Sequence, residues 1–312
     1  MNDGIMKTQN LRLVALFAVL AATFMACVGL PDRAAAFTGR ITLHIGGIRR
    51  TALIVEHERL KRARRPVIIV LHGGKGFGNR IRHHLGLEQL MRSSAPVMVY
   101  PYAIGGYWHV TPSLAAKHDL LFVQKLVTKL IADGIADRHR IFLVGSSSGG
   151  LMALRLACQH SPLFAGTAIL IASLPEELAA SCLPPRPLPF LMIAGTADPF
   201  IPYRGGHAKL IDSKAKLLPV EETLALFAKA AGCDTSKTVT QFPHRDAKNP
   251  TRAYLEKLQG CKAPVELVRI EGGGHWIPGR WKGGEQGKMV GPQNNDFSSA
   301  ALIWDLFRKA HS

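Results

Sequence analysis

The stretch that decides the fold is RIFLVGSSSGGLMALRLAC, which runs from Arg140 to Cys158. A continuous apolar run, typical of a strand buried on both faces of a parallel sheet, passes through glycines and serines into a helical pattern. In such a strand-turn-helix elbow, the positions two before and two after a nucleophile must be glycine, because side chains there would clash with the adjacent strand and helix. Only Ser147 has both, in Gly145 and Gly149, so the sequence predicts Ser147 as the nucleophile.

A serine hydroxyl needs a base that removes its proton and an acid that holds the base in one tautomer. In an elbow of this topology, the acid and then the histidine follow the serine along the chain. Asp198 follows the apolar run LPFLMIAG, and His275 follows VELVRIEGGG. Taken singly, Asp198 is equally typical of a cap in an Asp-Pro turn, and His275 is typical of a surface loop. Together, in the required order and each after a strand, they favour a catalytic triad of Ser147, Asp198 and His275.

Acyl transfer at such a site also requires backbone N–H groups directed at the developing oxyanion. One donor is expected to be the amide of Ser148, at the start of the elbow helix, where the helix dipole assists. The second is expected from the loop after VIIVLHGG, at Gly74 or Lys75, and the sequence does not choose between them. The same loop does not fit a phosphate site, because the lysine of a P-loop is followed by Ser or Thr.

The remaining patterns alternate between strands and helices, and predict an α/β fold with a mostly parallel central sheet and helices on both faces. Residues 41–57 indicate an opening β-hairpin that turns at Gly46-Gly47. Further strands are predicted at 67–74, 95–102, 140–145, 166–173, 188–195 and 263–270. Helices are predicted at 114–135, 149–160, 221–232 and 300–310. The glycine-rich segment 272–291 is predicted to be a long loop.

The first 36 residues have the pattern of an export signal: Lys7 and Arg12, then an apolar run, then Ala34-Ala35-Ala36. We expect residues 1–36 to be removed and 37–312 to form a single catalytic domain in an extracellular or periplasmic compartment. An uncleaved membrane anchor is the alternative, because the apolar run is long enough to span a bilayer. A lipid-modified Cys27 fits less well, since Phe24 and Met25 stand where small or aliphatic residues are usual.

Export would leave four cysteines in an oxidising compartment: Cys158, Cys182, Cys233 and Cys261. Three pairings are open, and we expect the two with short loops, Cys158 with Cys182 and Cys233 with Cys261. The alternative is four buried thiols. No pair has the C-x-x-C spacing that would indicate zinc or redox chemistry.

The formal net charge is +17, which raises the question of nucleic-acid binding. The densest basic cluster is Arg59, Lys61, Arg62, Arg64 and Arg65. It lacks a recognition-helix pattern and interleaved aromatic residues, so a solvated connection between strands is the better interpretation. The histidines outside the predicted triad, among them His72, His83, His84, His109 and His118, form no metal-ligand spacing. We therefore expect neither a metal nor a nucleic-acid partner, nor a stable membrane partner if the signal is removed.

Four stretches together resemble the polyhydroxybutyrate depolymerase and feruloyl esterase group of secreted α/β-hydrolases: VIIVLHGGKG, IFLVGSSSGGLMALRLAC, FLMIAGTADPFIPYRGG and ELVRIEGGGHWIPG. The resemblance extends from about Arg65 to Phe307 and is most specific over Gly195 to Gly206. It implies the α/β-hydrolase fold, the triad above, secretion, ester substrates and no cofactor, and it supports the two expected disulfides.

One departure from that group concerns the pocket. Its members often have H-x-W-P-G, whereas here Trp276 is adjacent to His275. Trp276 and Trp108 are candidates for aromatic pocket walls, with a purely structural role in the core as the alternative.

The sequence therefore predicts a serine esterase that acts through an acyl-enzyme, first of all on polyhydroxybutyrate or its oligomers. A feruloyl or acetyl xylan esterase is the alternative within the same chemistry. From other classes, a peptidase of the prolyl-oligopeptidase type and a catalytically silent binding protein remain open.

Overall fold

The structure is a computed structural model, and it describes residues 36–57, 64–75, 78–90, 96–209, 215–279 and 287–309. The predicted export signal and Cys27 lie outside the described residues, except for Ala36, which begins the first strand. The described residues from Ala36 onward belong to one compact unit. Within these ranges, none of the helices has the length and apolar character needed to cross a bilayer.

A ten-stranded sheet forms the centre. Its strands are β1 (Ala36–Ile45), β2 (Ile48–His57), β3 (Arg65–Leu71), β4 (Val97–Pro101), β5 (Ala136–Ser146), β6 (Gly166–Leu170), β7 (Phe190–Gly195), β10 (Lys237–Gln241), β11 (Arg252–Leu258) and β12 (Val265–Glu271). They lie in the order β1-β2-β4-β3-β5-β6-β7-β12-β11-β10. The strands from β4 through β3, β5, β6 and β7 to β12 are parallel, and the pairs at both edges are antiparallel. A separate two-stranded ribbon pairs β8 (Gly206–His207) with β9 (Lys216–Leu217).

Helices connect these strands and lie on both faces of the sheet. The α-helices are α1 (Gly78–Leu85), α2 (Leu114–Ala132), α3 (Ser148–Gln159), α4 (Glu176–Ala179), α5 (Val220–Ala231), α6 (Gly287–Val290) and α7 (Ser299–Lys309). Short 3₁₀ turns occur at Leu87–Leu90, Ile104–Gly106 and Ser161–Leu163.

The two faces of the sheet carry separate hydrophobic cores. Along β3, Val67 and Ile69 pack into one core with α2, α3 and α5, whereas Ile68 and Val70 pack into the other with α1 and α7. Alternate residues of a strand point to opposite faces, so a strand covered on both sides must be apolar throughout. That is the pattern that predicted this strand, and the α/β fold with a mostly parallel sheet is confirmed.

The opening hairpin is present as predicted, with β1 and β2 joined through Gly46-Gly47. The cysteines also pair as expected. Cys158, on α3, is bonded to Cys182, and Cys233, directly after α5, is bonded to Cys261. The first disulfide joins the end of the elbow helix α3 to the chain that follows α4. The second joins the end of α5 to the segment before β12.

Several expectations need correction. Arg65 is not part of a solvated connection: it begins β3, is buried, and pairs with Glu56 of β2. The helix predicted over 114–135 ends at Ala132, because Gly134 has a positive φ of 72°. The predicted loop 272–291 contains a helical turn at its end, α6.

Several elements were not predicted at all, among them the helices α1 and α4, the ribbon of β8 and β9, and the hairpin of β10 and β11. Every residue of β10 is exposed, so the apolar alternation that marks a half-buried strand is absent there.

Candidate active site

The elbow at Ser147 has the strained geometry that the glycine pattern requires. Ser147 lies between β5 and α3 with φ 53° and ψ −123°, a conformation that is costly for a residue with a side chain. A Cβ on Gly145 would lie 2.3 Å from the carbonyl oxygen of Gly149. A Cβ on Gly149 would lie 2.4 Å from the carbonyl oxygens of both Leu71 and His72. Neither flanking position accepts a side chain, and the turn therefore presents Ser147 at the carboxyl edge of the sheet.

The structure brings Ser147, His275 and Asp198 into one hydrogen-bonded chain. The distance from His275 Nε2 to Ser147 Oγ is 2.9 Å, and that from His275 Nδ1 to Asp198 Oδ2 is 2.6 Å. Because Nδ1 donates to a carboxylate, Nε2 is left as the acceptor that faces the serine hydroxyl.

Asp198 is held by the backbone on its other side. Its Oδ1 accepts hydrogen bonds from the amides of Phe200, at 2.8 Å, and Ile201, at 2.9 Å. The carboxylate side chain is only 2% exposed. Two amide donors and one imidazole donor therefore fix which oxygen of Asp198 faces His275.

The loop that carries His275 is supported by the segment before α7. The amide of Gly274 donates to the carbonyl of Pro292, and the amide of His275 donates to that of Val290. The indole of Trp276 donates to the carbonyl of Gly291 at 2.8 Å. This clamp was not predicted: two of its contacts are backbone hydrogen bonds, which leave no side-chain signal in the sequence, and the third comes from the indole of Trp276.

The chain after β3 lies against the serine. A Cβ on Gly73 would lie 3.2 Å from the Cβ of Ser147, so the Gly73 backbone is next to the nucleophile. Gly73 and Gly74 both line the cavity at Ser147. Lys75 is not among the described lining residues, and it has a positive φ of 48°. Of the two candidates for the second amide, Gly74 thus lies at the cavity, and the choice between them stays a prediction. Gly73 is an additional neighbour of Ser147 that was not predicted.

The side chain of His72 links this loop to the segment that follows β4. Its Nε2 accepts a hydrogen bond from the amide of Ala103 at 3.1 Å, so Nδ1 carries the proton and donates to the carbonyl of Gly73 at 2.8 Å. Burial lowers the pKa of His72, which keeps the ring neutral and preserves this pattern of one donor and one acceptor.

Trp108 supports the loop instead of lining the pocket, which corrects the expectation for this residue. It is 3% exposed in the core, and its indole donates to the carbonyl of His72 at 3.1 Å. The adjacent His109 is fixed by Asp119, which accepts from its amide and contacts its Nδ1, both at 2.9 Å. Asp119 is itself paired with the buried Arg50 at 2.7 Å. The ion pair of Asp119 with Arg50 and the hydrogen bonds of Asp119 thus hold His109 in place, next to the tryptophan that binds the loop after β3.

A cavity of about 250 Å³ opens onto Ser147. Trp276 lines it, as do residues from α1 and from the loop after β6. The described lining residues are His72, Gly73, Gly74, Arg80, Ile81, His84, Ser146, Ser147, Ile171, His275, Trp276 and Ile277. Across the described part of the chain, no group of His, Cys, Asp and Glu side chains has an arrangement that could hold a metal ion.

Comparison with solved structures supports the fold. An acetyl xylan esterase from Aspergillus awamori superposes with a TM-score of 0.56 over 77% of this chain and 94% of that structure, at 16% identity. At that level of identity the likeness concerns the fold alone, and the chain has the α/β-hydrolase fold.

Comparison with curated sequences gives relatives named as esterases. The putative esterase NocK of Nocardia uniformis subsp. tsuyamanensis is 29% identical over 229 residues, covering 69% of this chain and 66% of the relative. Feruloyl esterase B of Piromyces equi is 28% identical over 177 residues, covering 55% of this chain and 31% of the relative. The chain thus spans less than two thirds of the length of either relative. No protein-family model matches the chain.

Proposed function

We propose that this chain is a serine hydrolase of carboxylic esters, with Ser147 as nucleophile, His275 as general base and acid, and Asp198 as the residue that orients His275. The observation that carries the proposal is the continuous hydrogen-bonded path from Asp198 through His275 to a strained serine that opens into a cavity. Such a path is the requirement for converting an unreactive hydroxyl into a nucleophile at neutral pH.

In the first half of the reaction, Ser147 Oγ attacks the ester carbonyl carbon while its proton passes to His275 Nε2. The tetrahedral oxyanion lies where the Ser148 amide and the loop at Gly74 converge, and each donor contributes about 3 kcal/mol to transition-state stabilisation. His275 then gives its proton to the leaving alcohol, and the acyl group remains on Ser147. Asp198 stays ionised throughout and stabilises the imidazolium.

In the second half, water replaces the alcohol. His275 Nε2 removes a proton from the water as it attacks the acyl carbon, and the second oxyanion uses the same amides. Collapse of this intermediate returns the proton to Ser147 and releases the carboxylic acid. Every proton transfer passes through one imidazole nitrogen, so the reaction requires no redox or metal chemistry from the chain.

For the substrate, we propose acyl esters of plant cell-wall polysaccharides, either feruloyl or acetyl. The names of the relatives support this alternative better than the polyester depolymerase that the sequence resemblance put first, since those relatives are named esterases and feruloyl esterases. We also propose secretion, which is supported by the two disulfides, because such bonds persist in oxidising compartments.

The test is hydrolysis of methyl ferulate, acetylated xylan, a soluble hydroxybutyrate oligomer and an activated short-chain ester by the chain from Phe37. We expect Ser147→Ala to lower kcat about 10⁶-fold. The matched control is Ser161→Ala, which removes another buried hydroxyl from beyond the far end of α3. Undiminished turnover in Ser147→Ala would refute the site, and a preference for the hydroxybutyrate oligomer would refute the substrate class.

A further inference from the structure

Two basic side chains of α1 line the same cavity as Ser147 and His275. Arg80 and His84 are four residues apart and therefore lie on one face of the helix. Arg80 is exposed to solvent, whereas His84 is partly buried. One wall of the cavity beside the proposed nucleophile thus carries a permanent cation and an imidazole.

The helix that presents them is also packed into the core. Ile81, which itself lines the cavity, and Leu85 are buried in the core shared with α7. Arg82 pairs with Glu88, and Glu88 also accepts a hydrogen bond from the hydroxyl of the buried Tyr100 at 2.9 Å. Helix α1 is therefore held against β4 by apolar and ionic contacts, which gives Arg80 and His84 a defined position over the cavity.

The electrostatic environment of the cavity is positive. None of its described lining residues is Asp or Glu, and the nearby carboxylate of Asp198 is buried and committed to His275 and two backbone amides. The pKa of His84 is lowered, first by burial and then by the charges of Arg80 and His83. The charge of Arg80 is thus felt inside the cavity, where no lining carboxylate among the described residues offsets it.

On the basis of the proposed esterase function, we propose that Arg80 and His84 form an anion-binding subsite, and that the preferred esters carry a carboxylate, as in a uronic acid or the monoester of a dicarboxylic acid. The guanidinium of Arg80 pairs with the carboxylate, and the imidazole of His84 lines the same face of the cavity. Binding the charged end of the substrate here places the ester carbonyl over Ser147.

The experiment compares esters that differ only in this charge, with separate arms for the two sides of the scissile bond. In the acyl arm, mono(4-nitrophenyl) adipate is compared with its methyl ester. In the alcohol arm, 4-acetoxybenzoate is compared with 4-acetoxybenzamide. We expect a higher kcat/KM for the charged member in one arm, and that arm identifies the side of the ester that faces α1.

The variant Arg80→Gln removes the charge and keeps a hydrogen-bonding side chain. We expect it to lower kcat/KM for the charged ester about fivefold more than for the neutral ester, the size typical of a partly exposed ion pair. His84→Gln shifts the same ratio in the same direction. The matched control is Arg138→Gln, which removes an exposed arginine from the amino-terminal end of β5, the end opposite Ser147.

A charged-to-neutral ratio that stays the same in Arg80→Gln, in both arms, would overturn the subsite while leaving the esterase function intact. If the wild-type chain hydrolyses none of these four esters and none of the esters that test the proposed function, that function fails, and the subsite is then judged by binding. The probes are 4-acetamidobenzoate and 4-acetamidobenzamide, which resist hydrolysis and are followed by tryptophan fluorescence or ligand NMR. Selective loss of benzoate binding in Arg80→Gln supports the subsite, and equal binding of the two probes overturns it.

Discussion

The substitution Asp198→Asn is expected to inactivate the chain by selecting the wrong tautomer of His275, without disturbing the fold. The two oxygens of Asp198 have different partners: Oδ1 accepts from the amides of Phe200 and Ile201, and Oδ2 accepts from His275 Nδ1. An asparagine at this position must keep its carbonyl oxygen toward the two amides, because its NH₂ group cannot accept from them. Its NH₂ group then faces His275 Nδ1.

A donor at that place forces Nδ1 to become the acceptor, so Nε2 carries the proton. Ser147 Oγ, which lies 2.9 Å from Nε2, then meets a donor where it needs a base. Loss of the correct tautomer in triads of this kind lowers kcat about 10⁴-fold. At about 1.4 kcal/mol for each factor of ten, this corresponds to about 5.5 kcal/mol of transition-state stabilisation. KM is expected to change little, because Asp198 is buried behind His275.

Two measurements check this prediction. Steady-state kinetics on an activated ester give the loss of kcat, and ¹H NMR detects the Nδ1 proton of His275, which a short bond to a carboxylate shifts downfield in the wild type. The control is Asp137→Asn at the amino-terminal end of β5, where the carboxylate also accepts from the amide two residues later. If Asp198→Asn keeps more than about a tenth of the wild-type kcat, or keeps the downfield proton, the tautomer argument is wrong.

Two further substitutions test the elbow and the loop beneath it. Gly149→Ala puts a Cβ 2.4 Å from two backbone carbonyl oxygens, so we expect it to lower the free energy of unfolding by about 3 kcal/mol or more. The control is Gly47→Ala, where φ is positive but nothing lies within 4 Å, and there we expect a loss of about 1 kcal/mol. Similar losses in urea denaturation for the two variants would contradict the packing argument. Trp108→Phe leaves the carbonyl of His72 without its indole donor, so we expect a loss of about 2 kcal/mol in unfolding free energy and a lower kcat at similar KM. Unchanged kcat in a destabilised Trp108→Phe would show that the tryptophan supports the core and not the reaction.

The residues of the proposed triad could be picked out from the sequence because each follows a predicted strand and together they have the required order. Ser147 is identified by the two glycines that its strained turn requires. Asp198 and His275 are identified by their positions directly after apolar strands, because parallel strands deliver their carboxyl ends to one edge of the sheet. The disulfides were expected for a similar reason, since short loops limit which cysteines can meet.

The supports of these residues carry no such signature. The clamp on His275 includes backbone hydrogen bonds from Gly274 and His275 to residues 290–292, and the pattern of apolar and polar residues does not reveal which distant carbonyls accept them. Trp108 was a candidate for the pocket because aromatic residues line many pockets. Only the folded structure shows that its indole N–H donates to the carbonyl of His72.

Helix α1 forms one wall of the cavity, and its proposed role in substrate specificity could not be predicted from the sequence. Its sequence, GNRIRHHL, has only two apolar residues and four basic ones, so it was not predicted to be a helix at all. In the structure its basic residues have different places: Arg82 pairs with Glu88, which also accepts from the hydroxyl of Tyr100, while Arg80 and His84 line the cavity. Which arginine meets the substrate is decided by the rotation of one short helix, and that rotation is set by Ile81, Leu85 and a glutamate outside the helix. The proposed reaction can thus be inferred from three residues by their order and their places after strands in the sequence, whereas the proposed choice of ester depends on contacts that exist only after folding.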